Sequence, residues 1–239
     1  MSALHHPQVR LVRSSIAQVK CRILVDFDGT VAPDDPTDRL FERFADPIWR
    51  DIEDAWQAGR ISSRECMRRQ VALLRATPEE LDEEIRNVRV DPGFRRFVRF
   101  CSHQGMVVSI VSDGLDRLVR AVLERERLSV PFFANRLEWC GSDRWRLAFP
   151  HARRDCRVGG ANCKCSHGAR PRTGRCVAIG DGRSDFCMSA HADFVIAKGN
   201  LADFCRRRGL PYGSFKTFDH VTAHVGKWLE TSLADAAPD

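Results

Sequence analysis

Apolar positions in this chain follow two alternating patterns: short unbroken runs, and longer stretches at helical spacing. Ile23-Leu24-Val25 is a run of the first kind and reads as a buried strand; it stops at Asp26-Phe27-Asp28-Gly29-Thr30. Residues 106–111 form a second run, ending in Ser112-Asp113-Gly114, and residues 176–179 a third, ending in Gly180-Asp181-Gly182-Arg183-Ser184-Asp185. Phe132-Phe133-Ala134 and Phe194-Val195-Ile196 read as further strands. Leu137-Glu138-Trp139 and Trp145-Arg146-Leu147 read as a hairpin across Gly141-Ser142-Asp143. Between these runs, Phe94, Phe97, Val98 and Cys101 mark an amphipathic helix ending at Gly105, and residues 115–128 are helical. Residues 201–208, Phe215-Lys216-Thr217-Phe218 and residues 221–229 complete the alternation. Such alternation predicts an α/β fold, a doubly wound parallel sheet of Rossmann-like type.

One block departs from it. From 38 to 88 the pattern is helical throughout: Leu40, Phe41 and Phe44, then Ile48, Ile52, Ala55 and Trp56, then Met67, Val71 and Leu74. Thr77-Pro78-Glu79-Glu80 is a helix start, with a capping threonine, proline in the first turn and early acids, and Leu81, Ile85 and Val88 form its apolar stripe. Asp91-Pro92-Gly93 closes the block. The expected layout is a flexible arm over 1–20, a core over 21–32 and 90–232, a small helical cap over 33–89, and a frayed tail over 233–239. Trp49 and Trp56 are expected in the cap's own core rather than as a platform for a substrate.

The strand ends carry the chemistry. Asp26 and Asp28 are two residues apart, so in an extended chain they point to one side, where each raises the other's pKa. That arrangement suits a cation between them or one carboxyl kept protonated. Gly29 permits a turn that lets backbone N–H groups approach an anion, and Thr30 adds a hydroxyl. By itself this segment reads equally well as a nucleophilic carboxylate with a phosphate cradle and as a plain acidic turn. Ligands of doubly wound sheets sit at the carboxyl ends of the strands, and three such ends carry Asp26/Asp28, Ser112/Asp113 and Asp181/Asp185. Acids and a serine gathered there need a cation and an anion together, and Mg²⁺ with a phosphate is that combination. Lys164, the one lysine between Lys20 and Lys198, would complete it as a point charge, although its spacing alone reads as a surface loop.

Composition narrows the class. The 239 residues are 43% hydrophobic with net charge +6, and the 38 basic residues are spread along the chain. This favours an anionic substrate without indicating nucleic-acid binding. No stretch has the length of a membrane span, and residues 1–20 lack the apolar core of a secretory signal, so a cytoplasmic protein with ten reduced cysteines is expected. Cys21, Cys66, Cys101, Cys187 and Cys205 read as small buried hydrophobes. His151, Cys156, Cys163 and Cys165 lack the Cys-x-x-Cys pair of a zinc site, and structural thiols are the favoured reading over zinc.

Asp26-x-Asp28-x-Thr30, Ser112, Lys164 and Gly180-Asp181-x-x-x-Asp185, in that order, resemble the four motifs of the haloacid dehalogenase superfamily of phosphatases, over about residues 21 to 230. The helical block resembles the small cap of its phosphoserine-phosphatase-like branch. Ile61-Ser62, Asp91-Pro92-Gly93-Phe94, Asn135-Arg136, Phe149-Pro150-His151, Cys163-Lys164-Cys165 and Gly209-Leu210-Pro211-Tyr212 with Phe218 are similar to the methionine-salvage phosphatases of that branch. The resemblance implies a phosphatase of a small phosphorylated metabolite. Asp26 would be the nucleophile, forming an aspartyl-phosphate, and Asp28 the general acid and then base. Asp26, Asp181 and Asp185, with the Asp28 backbone carbonyl, would hold Mg²⁺. Ser112 and Lys164, with groups at Gly29, Thr30 and Asp113, would hold the phosphoryl oxygens. The implied substrate is 2-hydroxy-3-keto-5-methylthiopentenyl-1-phosphate, with phosphoserine, phosphocholine and phosphoethanolamine as alternatives. A phosphate-responsive module without turnover is disfavoured by Asp28 and by the helical block. Two departures stand out: Asp113 where the methionine-salvage branch has glycine, and Gly168 with Pro171 where the family starts a helix. The cap and the hairpin are expected to select the leaving group, with Arg39, Arg43, Arg64 and Arg68 among the polar cap residues. The sequence carries no sign of oligomeric state.

Overall fold

The computed structural model describes residues 21–168 and 174–234. The expected N-terminal arm and residues 235–239 of the expected tail lie outside the described residues, as does Pro171. Residues 233 and 234 belong to the last helix rather than to a frayed end.

Strand β1 (Cys21–Val25) lies at the middle of a seven-stranded sheet, flanked by β2 (Val107–Leu115) and β5 (Arg175–Gly180). Beyond β2 come β3 (Phe132–Trp139) and β4 (Trp145–Ala148); beyond β5 come β6 (Phe194–Ala197) and β7 (Tyr212–Ser214). All neighbours are parallel except β4, which runs antiparallel to β3. Burial on both faces is why the central strands read as unbroken apolar runs. Ile23 and Val25 belong to one core cluster, while Leu24, pointing the other way, joins Val111, Cys176 and Ala178 in another. On the first face α5 (Phe94–His103), α6 (Asp116–Arg125) and α10 (Phe218–Ala234) supply Phe97, Val119 and Val225. The rings of Phe94 and Phe218 meet edge to face at 4.9 Å, and burying each contributes about 1.5–3 kcal/mol. On the second face α9 (Gly199–Arg208) packs Leu201 and Cys205 against Val195. Two short helices, α7 (Lys164–His167) and α8 (Phe186–Ser189), flank the strand-end loops.

Three elements differ from the sequence reading. Strand β2 does not end at Val111 but runs through Ser112-Asp113-Gly114. Its register against β3 slips between Val111 and Leu115, a bulge that re-aims the side chains at the strand end. Strand β3 is continuous across Asn135 and Arg136, because Asn135 is buried and donates from its amide to the Asp113 carbonyl. The last strand is Tyr212–Ser214 rather than residues 215–218; Phe215 and Phe218 are core anchors just beyond it.

The helical block comprises α1 (Pro36–Phe44), α2 (Trp49–Gln57), α3 (Ser63–Leu73) and α4 (Pro78–Arg86). Each of three starts has the cap its sequence suggests: Asp35 accepts from the Asp38 N–H, Ser62 from Glu65, and Thr77 forms a reciprocal capping box with Glu80. Arg39 and Arg43 both reach Glu84, clamping α1 to α4. The β3–β4 hairpin seats against the end of this block, where Trp145 Nε1 donates to the Ala76 carbonyl at 2.8 Å. No helix among the described residues is long and apolar enough to cross a membrane.

Candidate active site

The loop after β1 opens beside the loop after β5. Gly29 adopts a left-handed φ of 73°, and a Cβ there would collide with the Asp181 carboxylate, so the turn needs glycine on both counts. The close approach lets Thr30 Oγ1 donate to Asp181 Oδ1 at 2.8 Å. Burial, then the Asp185 charge, lifts Asp181 to about 6, and the Thr30 hydrogen bond opposes the rise.

Lys164 lies 3% exposed beneath these loops. Its Nζ donates to Asp26 Oδ1 at 2.6 Å, Asp185 Oδ1 at 2.7 Å and Ser184 Oγ at 2.9 Å, which uses all three ammonium hydrogens. Although burial works against the charge, Asp185 and Asp26 hold this lysine above its usual range. Burial, then the Asp185 charge, pushes Asp26 upward, and the Lys164 ammonium opposes them. Asp185 is fixed by its other oxygen, which accepts from the Asp181 and Gly182 N–H groups.

Asp28 is held separately. Its Oδ1 accepts from Thr37 Oγ1 at 2.7 Å and from the Thr37 N–H at 3.3 Å, and its Oδ2 accepts from Ser112 Oγ at 3.0 Å. Burial raises its pKa, and these hydrogen bonds work the other way. Ser112 also accepts from the Gly114 N–H at 2.8 Å. The Asp113 side chain is engaged elsewhere: it accepts from Ser63 Oγ of α3 and from the Asn162 N–H, so it joins the helical block to the loop before Lys164.

The structure therefore gathers Asp26, Asp28, Gly29, Thr30, Ser112, Lys164, Asp181 and Asp185 at adjoining strand ends. Carboxylate oxygens of Asp26, Asp181 and Asp185 all lie within 4.8 Å of one another. Three hard oxygen donors facing a single ammonium fit a hard divalent cation. The Asp28 carboxylate is not part of that group. A cavity of about 340 Å³ opens over Asp26, Asp28 and Asp181 and extends up to Asp38, Glu53 and Trp56 of the helical block.

Comparison with known proteins agrees with this arrangement. The family model described as haloacid dehalogenase-like hydrolase matches residues 23–190. This chain belongs to the haloacid dehalogenase-like hydrolase family. A 2-hydroxy-3-keto-5-methylthiopentenyl-1-phosphate phosphatase of Geobacillus kaustophilus is 35% identical, over 83% of this chain and 92% of the relative. One of the same name from Geobacillus thermodenitrificans is 33% identical, over 85% and 94%. Among solved structures, a phosphoserine phosphatase bearing an analogue of its phospho-aspartyl intermediate superimposes with a TM-score of 0.62 at 24% identity, over 83% of this chain and 95% of that one. A phosphoserine phosphohydrolase-like protein from Francisella tularensis gives 0.64 at 19%, over 86% and 99%. These structural likenesses speak for the fold, an α/β haloacid dehalogenase core with a cap.

Within this family member, sequence reasoning missed several residues of the site. Thr37 fell inside the expected cap, one residue before the helical pattern that begins at 38, with no role of its own. Ser184 and Asn162 had no motif of their own, yet Asn162 is buried, its amide donating to the Ser112 and Phe133 carbonyls. Trp56, expected in the cap core, lines the cavity wall instead; Trp49 is the buried one. The hairpin lines neither of the two cavities beside the site. The four cap arginines are occupied: Arg39 and Arg43 with Glu84, Arg68 with Glu65, and Arg64 with the Arg153 and Gly160 carbonyls.

The ten cysteines form no disulfide among the described residues; Cys21, Cys66, Cys101 and Cys205 are buried as expected, while Cys187 is only half-buried. His151 packs its ring against Phe133 and His167, and Cys163 lies 3.5 Å, sulfur to sulfur, from Cys165. Among the described residues His151, Cys156, Cys163 and Cys165 do not form a metal-suited group; Asp26, Asp181 and Asp185 do.

Proposed function

We propose that this protein is a cytoplasmic, Mg²⁺-dependent phosphatase that hydrolyses a small-molecule phosphate monoester through an aspartyl-phosphate on Asp26. The observation that carries the reading is the segregation of two neighbouring carboxylates. Asp26 is paired with Lys164 at 2.6 Å, while Asp28 sees only the neutral donors Thr37 and Ser112. The ammonium favours the charged form of Asp26, while no cation is bound to Asp28, which is free to carry a proton; a nucleophile and a general acid need that difference.

In this reading Asp26 attacks phosphorus as the bond to the leaving oxygen breaks, and Asp28 gives its proton to that oxygen. Asp28, now ionised, takes a proton from the water that hydrolyses the acyl phosphate, which frees Asp26. Lys164 holds charge on the phosphoryl side, and Ser112 can turn its hydroxyl from Asp28 to a phosphoryl oxygen. Backbone N–H groups near Gly29 and Asp113 complete the cradle, while Thr30 spends its N–H on the Phe27 carbonyl and its hydroxyl on Asp181. Asp26, Asp181 and Asp185, with the Asp28 carbonyl, would hold Mg²⁺, whose charge offsets that of the phosphoryl oxygens. The division into a core over 21–32 and 90–232 and a cap over 33–89 belongs to the same reading.

The relatives' name makes 2-hydroxy-3-keto-5-methylthiopentenyl-1-phosphate the first ester to test. Phosphoserine, phosphocholine and phosphoethanolamine form the second reading, favoured by the acids on the cap side of the cavity. Phosphate release from such a panel, with and without Mg²⁺, tests the function. Asp26→Asn should abolish release while leaving the thermal melt close to that of the parent, because the amide keeps the shape but cannot attack. Near-parental turnover in that variant would overturn the mechanism.

A further inference from the structure

We propose that Asn162, locked in place by His167, is a positioning residue for phosphoryl transfer. It holds Lys164 in register with Ser112, the two side chains that would take the phosphoryl oxygens. This rests on the phosphatase reading above.

Asp26, Ser112 and Asp181 stand at strand ends, where the sheet places them. Lys164 does not. It opens α7, a helix of four residues that follows the long loop after β4, and so short a helix is not stable by itself. Yet its Nζ is fixed on three partners at 2.6 to 2.9 Å. A flexible four-carbon stem delivers its charge to one point only if its backbone is fixed as well.

Asn162 does that. It is 2% exposed, and its Nδ2 donates to the Ser112 carbonyl at 3.1 Å and the Phe133 carbonyl at 2.8 Å, which uses both amide hydrogens. Those carbonyls lie on neighbouring strands where the β2–β3 register slips, so one side-chain amide bridges the strands at the bulge. Its main-chain N–H donates to Asp113 Oδ1 at 2.9 Å, and its carbonyl accepts from the Lys164 N–H at 2.8 Å. A single buried residue thus grips the backbone of Ser112 and the backbone of Lys164 together.

The remaining atom, Oδ1, can only accept. His167 Nε2 lies 2.7 Å from it, so that nitrogen carries the hydrogen. Burial, then the neighbouring His151, lowers His167 to about 4, which keeps the ring neutral. The ring stacks on Phe133 at 4.2 Å, and His151 meets it edge to face at 5.4 Å. Because Lys164 and His167 are the two ends of α7, the bond from His167 ties the far end of the helix back to the loop that precedes it. A displacement of about 1 Å in a group that orients the substrate can cost about 10²-fold in rate.

The test uses the full chain with Mg²⁺ and two variants that separate the ring from its hydrogen bond. His167→Gln puts an amide N–H near the place of Nε2 without the ring; His167→Phe keeps a ring on Phe133 without the donor. The readouts are kcat/KM for p-nitrophenyl phosphate, the inhibition constant of inorganic phosphate, and the Mg²⁺ concentration for half-maximal rate. His167→Phe should lower kcat/KM and weaken phosphate inhibition by about tenfold, the worth of one buried hydrogen bond, and His167→Gln should keep most of both. The Mg²⁺ requirement should not rise in either, because Asp26, Asp181 and Asp185 keep their places; a general loosening of the fold would raise it. In the unaltered protein, nitrogen NMR of His167 at neutral pH should find the proton on Nε2, a readout that needs no variant. A proton on Nδ1, a His167→Phe variant equal to the parent, a loss in His167→Gln as large as in His167→Phe, or a Mg²⁺ requirement that rises in step would overturn the inference while the phosphatase reading stands. An unaltered protein that releases phosphate from no ester, the aryl phosphate included, would remove both.

Discussion

The two walls of the cleft are both rich in acids and treat them in opposite ways. On the core wall each carboxylate is fixed by a named donor: a buried lysine for Asp26 and Asp185, hydroxyls for Asp28 and Asp181. On the cap wall the Asp38 carboxylate has no partner among the described residues and Glu53 has neutral ones. Catalysis needs groups whose protonation and position are set in advance, so the core wall is complete before a substrate arrives. Selection needs groups that become satisfied only when the right substrate is in place, and the cap wall is incomplete in that sense. Asp113 joins the two walls, hydrogen-bonded to Ser63 on one side and to Asn162 on the other.

The sharpest break of this contrast is to the core wall. Asp28→Asn should slow hydrolysis of an alkyl phosphate by about 10²–10⁴-fold, the usual worth of a general acid–base group. With p-nitrophenyl phosphate, whose leaving group needs no proton, the first phosphate transfer should survive and appear as a burst before slow turnover. Equal losses on both esters without a burst would show that Asp28 works through geometry, not proton transfer.

A smaller effect is expected where the walls meet. Asp113→Ala leaves the Ser63 hydroxyl and the Asn162 N–H without their acceptor, and should cost about 1–3 kcal/mol of stability. Denaturant unfolding measures it. The loss should come with a raised KM, because the cap start at α3 is no longer tied to the Lys164 loop. A variant as stable as the parent, with unchanged KM, would show that the walls are held together by other contacts.

The last break is to the cap wall alone. Burial, then the charges of Glu53 on α2, Asp28 on the β1 loop and Glu42 on α1, raises Asp38 to about 7, with Arg50 opposing. An acid whose folded pKa lies above its ordinary 3.8 favours the folded state at low pH. That contribution is lost as pH rises from about 4 through about 7. Asp38→Asn removes the dependence, so its melting temperature should pull ahead of the parent's across that window and the gap should stay constant above it. A gap that does not change with pH would mean Asp38 is solvated.

Much of this was legible in the chain itself. The apolar runs, their abrupt ends at Asp26/Asp28, Ser112 and Asp181/Asp185, and the helical block between β1 and β2 gave the α/β fold and the family. Local rules govern such features: side-chain alternation in strands, capping chemistry such as Thr77 with Glu80, and a turn that only glycine fits at Gly29. Where reading failed, a residue's meaning came from a distant partner. Asn135 looked like a strand break until its bond to the Asp113 carbonyl was in place, and Asp113 looked like a phosphate-side carboxylate until Ser63 and Asn162 claimed it.

The sequence alone determined which residue types stand at which strand ends, because spacing along the chain decides the face a side chain takes. Tertiary structure decided which of the acids are answered and which are not. Thr30 meets Asp181 across 151 residues of chain and Lys164 meets Asp26 across 138, while the Asp38 carboxylate meets no partner among the described residues. Charge compensation is a property of distances through space, which fall off within a few ångströms, and no local pattern records them.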